Sequence, residues 1–161
     1  MRRVLCLSLV IALGCTGAPR EEAAAGADSA FAALQARGER AMGVNQYTSS
    51  HVFESLPDGG RIVLQRDSVD AAGTEAIRAH MRDIATRFAA GDFTIPGMVH
   101  AQVVPGTAEM SARRDRIRFV ADTLPRGAQV VITSTDADAL TAIHAFLAFQ
   151  RMDHRAAGHE M

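Results

Sequence analysis

From residue 48 to residue 66 the chain alternates in the two-residue rhythm of a half-buried strand, interrupted by the turn sequence Pro57-Asp58-Gly59-Gly60. The rhythm then changes. Ile77, Met81, Ile84, Ala85 and Phe88 recur with a period of about 3.6 residues, and Gly91 follows as a stop, which predicts a helix over 74–90. The same order then returns. Strand-like runs over 116–122 and 129–134 flank Leu124-Pro125-Arg126-Gly127, and a helix over 136–152, capped by Thr135 or Asp136, carries Leu140, Ile143 and Leu147. With strands over 49–55 and 61–66, this makes two hairpin–helix units. The words Ala76-Ile77-Arg78-Ala79-His80-Met81 and Ala142-Ile143-His144-Ala145-Phe146-Leu147 repeat within them. The expected fold is α+β: a four-stranded antiparallel sheet with two helices on one face.

Flanking segments are simpler. Residues 16–27 are small, polar and alanine-rich, and are expected to be an unpacked tether. A short helix could start at Asp28 or Ser29 and run to Met42. Residues 92–112, with Pro96, Gly97, Pro105 and Gly106, read as a long loop, a kind of segment that is often functional in a compact domain. The folded domain is thus expected over 28–155, with 156–161 as a flexible tail.

Charge narrows the function classes. The 17 basic residues, all arginine, are balanced by 18 acidic ones, and no basic stripe stands out, which argues against a nucleic-acid partner.

The N-terminus points to export. Met1-Arg2-Arg3 precedes a ten-residue apolar run, Val4 to Leu13, well short of the ~20 residues that span a bilayer. Ile11-Ala12-Leu13-Gly14-Cys15 resembles the lipobox of bacterial lipoproteins, in which the cysteine takes acyl chains such as palmitate. Residues 1–14 are therefore expected to be a signal peptide and 15–27 a lipidated tether. The alternative is plain secretion after cleavage near Ala18. Thr16 after the cysteine, where aspartate would mark retention, favours the outer membrane. Cys6 leaves with the signal and Cys15 carries lipid, so the mature domain has no thiol for a disulfide or a nucleophile.

Six histidines are the main chemical signal. His80 and His144 lie on apolar helical stripes, and His51 alternates in phase with Phe53. These three are expected to point between sheet and helices, with His100 capping that layer from the long loop. His51, His80, His100 and His144 are the candidate metal ligands, with zinc or copper as candidate ions. Asp92 and Asp153 are candidate ligand-binding carboxylates. Methionine–histidine pairs at Met98-x-His100 and in Met152-Asp153-His154 and His159-Glu160-Met161 would suit copper, although the last residues also read as a solvated tail. No HExxH, GxSxG, P-loop or GxGxxG is present.

The words His51-Val52-Phe53, Pro57-Asp58-Gly59-Gly60-Arg61-Ile62, Gly91-Asp92-Phe93, Met98-Val99-His100 and Ala142 through Gln150 carry a resemblance to a family of small, uncharacterised bacterial proteins, many of them lipoproteins. Some members bear an aspartate carbamoyltransferase name. That enzyme needs about twice this length and carbamoyl-phosphate loops that this chain lacks, so the resemblance implies fold boundaries and no reaction. The expected function is a membrane-tethered periplasmic binding or accessory protein with a His-lined pocket. The alternatives are a small acid–base enzyme using the same histidines and a structural envelope protein that docks a partner.

Overall fold

A computed structural model describes residues 18–157 of the protein, with side chains from residue 26 onward. The signal segment, Cys15 and the tail His159-Glu160-Met161 lie outside the described residues.

Strands β1 (Ser49–Leu56), β2 (Gly59–Arg66), β3 (Ile117–Leu124) and β4 (Gly127–Ser134) form one antiparallel sheet in the order β1-β2-β4-β3. Helices α2 (Ala71–Ala89) and α5 (Ala137–Asp153) pack on it. Their starts follow from caps: the Asp70 carboxylate accepts from Gly73 N at 3.0 Å, and Asp136 accepts from Asp138 N and Ala139 N. Those caps hold the Asp136 carboxyl below its ordinary range, the Ala139 hydrogen bond first among the causes. Gly91, at φ +79°, ends α2 as expected.

The core is the single layer between sheet and helices. Phe53, Ile62, Leu64, Val130 and Ile132 face Ile77, Met81, Phe88, Ile143, Phe146 and Leu147, all buried. At about 1.5–3 kcal/mol per fully buried large apolar side chain, this layer is the main source of stability in a domain without a thiol.

The two hairpin–helix units are related by a pseudo-two-fold axis. Ser49 pairs with Arg66 in one hairpin as Ile117 pairs with Ser134 in the other. Ile62 pairs with Val130, its own counterpart, so the axis passes between them. Details repeat across it. Arg66 N donates to Arg126 O and Ser134 N to Asp58 O, both at 2.9 Å. A Cβ at Gly59 would lie 2.0 Å from Ile132 O, and one at Gly127 would lie 2.0 Å from Leu64 O. Glycine is required at both places because a backbone oxygen occupies the space of a side chain.

Four expectations are corrected. Helix α1 (Ala18–Met42) begins within the expected tether, ahead of Asp28 and Ser29. Alanine and glutamate favour helix on local grounds even where little packs. The expected loop 92–112 contains two short helices, α3 (Thr94–His100) and α4 (Thr107–Ala112), which lie over α1 and α5 respectively. Their Pro and Gly residues punctuate helices: Gly106 at φ +80° precedes α4, and Pro96 sits in the first turn of α3. The expected free tail is also partly structured, since Ala157 O accepts from Phe53 N at 3.0 Å and bridges the outer edge of β1. The helical stripe of α5 runs through Ala139, Ala142, Ile143, Phe146, Leu147 and Gln150, one position away from the expected Leu140 and His144.

Candidate functional site

One cavity of about 70 Å³ opens at the β1–β2 end of the core, and four histidines line it: His51, His80, His100 and His154. A water needs about 10–15 Å³ of such space, so the cavity has room for no more than a few waters or a very small molecule. Pockets for drug-sized ligands are several times larger. Its remaining wall is apolar, built from residues such as Met42, Phe53, Leu64, Phe88 and Phe146.

Each imidazole is placed by a different element. His51 comes from the core face of β1, in the alternation that buries Phe53, and its ring stacks on Phe53 at 5.7 Å and 7°. His80 comes from the flank of the α2 stripe, one residue before buried Met81. His154 is the C-cap of α5; its ring lies 4.9 Å from that of His51 and 5.0 Å from that of His100. His100 ends α3 and is buried. Its Nδ1 is 2.5 Å from the Asp153 carboxylate and its Nε2 is 2.9 Å from the Gln150 side-chain oxygen.

Burial keeps the first three neutral. It pushes His51 down to about 4, helped by the proximity of His80. It pushes His80 to about 4 against the opposing pull of Asp83. His154 falls to about 2, by burial first and then by His51 and His100. Each of these rings therefore keeps one unprotonated nitrogen at neutral pH. Nδ1 of His154 is buried and has no hydrogen-bonding partner.

The expected set is thus redrawn. His51, His80 and His100 do share a cavity. His144 stands apart: its Nε2 sits 2.9 Å from Leu56 O and 3.0 Å from Gly59 O, donating to the β1–β2 turn. Arg78, its counterpart on α2, donates to Leu124 O and Gly127 O of the β3–β4 turn in the same way. His144 is a turn clamp because it falls at the edge of the α5 stripe. Asp92 also lies outside the cavity. Its carboxylate accepts from Thr94 N and Oγ1 and from Arg87, and these bonds, Thr94 first, hold its carboxyl below the ordinary range. Asp153 reaches the site through His100 alone.

His154 stands in the sequence within Met152-Asp153-His154 and is not among the four candidate ligands. The internal repeat held the missing signal. Across the pseudo-two-fold, His154 corresponds to Phe88, His80 to Phe146 and His51 to Phe119. The three phenyls form the matching cluster in the other half, with Phe88–Phe119 at 5.7 Å and Phe88–Phe146 at 5.8 Å.

Among the described residues no group of three or more His, Cys, Asp or Glu side chains is arranged to hold a metal ion. Neither is any described helix long and apolar enough to cross a membrane. Compared with protein families, curated proteins and solved structures, the chain matches none, so the reading rests on its own geometry.

Proposed function

We propose that this chain is a cell-envelope binding protein, tethered by lipid on Cys15, whose imidazole cavity takes a transition-metal ion such as zinc or copper. One observation carries the reading: three imidazoles stand where the symmetry-related half of the same core has three phenyls. Packing alone is satisfied by phenylalanine there. Burying imidazoles costs desolvation that only a ligand or a hydrogen bond offsets, and His154 Nδ1 has neither. His51, His80 and His154 are the donors in this reading. His100, with both nitrogens engaged by Asp153 and Gln150, packs edge-on against the His154 ring at 5.0 Å. Ligation requires the three rings to turn, since Zn–N bonds are only ~2.0–2.1 Å.

An acid–base enzyme fits less well. A general base works best with a pKa near the operating pH, whereas His154 sits near 2 and His100 offers no free nitrogen.

Elemental analysis and zinc and copper(II) titration of the full chain, purified without a histidine tag, test the reading. One ion per chain is expected, lost on His80→Phe or His154→Phe with the fold retained by circular dichroism. Because the donors are neutral down to about pH 4, uptake should stay nearly flat between pH 7.5 and 5.5. Wild-type protein that takes up neither ion overturns it. The tether is tested separately by Cys15→Ala, which should move the chain from the membrane fraction to the soluble one; unchanged membrane association defeats the anchor.

A further inference from the structure

The two edges of the sheet differ. They are pseudo-equivalent, yet β1 is bridged at Val52 and Phe53 by Ala157, and Arg151 also donates to Phe53 O. The corresponding stretch of β3, Val120 and Ala121, has no such bridge among the described residues. Since Phe53 directs its N–H and C=O away from the sheet, its counterpart Ala121 does the same. Phe119, in phase with it, presents a second pair of free backbone groups. An uncovered edge of eight residues is a template for another strand.

We infer that the free edge of β3 pairs antiparallel with β3 of a second copy of this chain, giving one continuous eight-stranded sheet. Charge selects this occupant and its register. Centred on Val120, the pairing places Arg118 opposite Asp122 of the second copy, and Asp122 opposite its Arg118. Phe119 and Ala121 then face each other as the hydrogen-bonded positions. Arg118 and Asp122 are exposed and make no ion pair with any described residue, so the strand carries two opposite charges that are complementary when it meets itself. The side chains at 118, 120 and 122 all lie on the sheet face away from the helices, where directly opposed pairs interact most closely. This inference is independent of the metal reading, because β3 borders the phenyl half of the core.

Cysteine crosslinking of the full chain in whole cells tests it, with wild type as the background for any contribution of Cys6 and Cys15. Val120→Cys should form a disulfide-linked dimer under mild oxidation, whereas Val63→Cys, inside the sheet on the same face, should not. Arg118→Asp or Asp122→Arg alone should weaken the crosslink about tenfold through facing like charges, and the double exchange should restore it. Crosslinking of Val120→Cys no greater than that of Val63→Cys overturns the pairing. So does a crosslink that ignores both single reversals, or one that the double exchange fails to restore.

Discussion

The two halves of the core have the same backbone and opposite contents. On the β3 side Phe88 stands edge to face with both Phe119 and Phe146. On the β1 side His51, His80 and His154 occupy the equivalent positions and surround a cavity. The fold therefore needs aromatic rings at these places and does not need nitrogen in them. What the nitrogens add is lone pairs in a low-dielectric wall, held neutral by burial. The halves also differ in reinforcement: His100 comes from α3, an inserted element, and only the histidine half receives it.

Breaking each half in turn should expose this division. Phe88→Ala removes a fully buried ring and should cost about 3–5 kcal/mol in urea unfolding. Its counterpart His154→Ala removes a ring that is only half-buried and should cost much less, while eliminating metal uptake. Equal costs for the two would mean that both halves serve packing alone.

The next contrast is pH. His51, His80 and His154 have folded values of about 4, 4 and 2, below the 6.5 of the free side chain, so the unfolded chain binds more protons in that window. Stability should therefore be full above about pH 6.5 and fall as pH drops toward 4. With solvent screening of these half-buried rings, the loss between pH 7.5 and 5 should be about 3 kcal/mol in all. The triple variant His51→Phe, His80→Phe, His154→Phe copies the phenyl half and should flatten the curve. A wild type equally stable at both pH values would show that the cluster is already solvated.

The smallest expected effect concerns the clamps. His144→Ala and Arg78→Ala each leave turn carbonyls without their side-chain donor and should cost about 1–2 kcal/mol. Neither should change metal uptake. A loss of uptake in His144→Ala would return that residue to the site.

The legible part of the site was the part set by local periodicity. His51 and His80 share phase with buried neighbours, and both reach the cavity. His144 misled because a helix stripe is wide and its border cannot be placed from one strip of sequence: Leu140 suggested one phase, while Ala139, Ala142 and Phe146 set another. His154 falls just past the expected helix 136–152, so no periodicity marked it, although extending the repeat aligns it with Phe88.

The sequence by itself determined the four strands, the helices α2 and α5, the duplicated hairpin–helix plan and hence the antiparallel sheet, because strand and helix periods and cap residues act over a few positions. Tertiary structure alone decided which histidines meet. Residues 51, 80, 100 and 154 converge only because the pseudo-two-fold sets α5 beside β1 and α3 folds back over the helices. The same packing turned His144 outward to a turn, and covered the β1 edge while no described residue bridges the β3 edge. Such outcomes depend on crossing angles and on the route of a short insertion, which no local rhythm encodes.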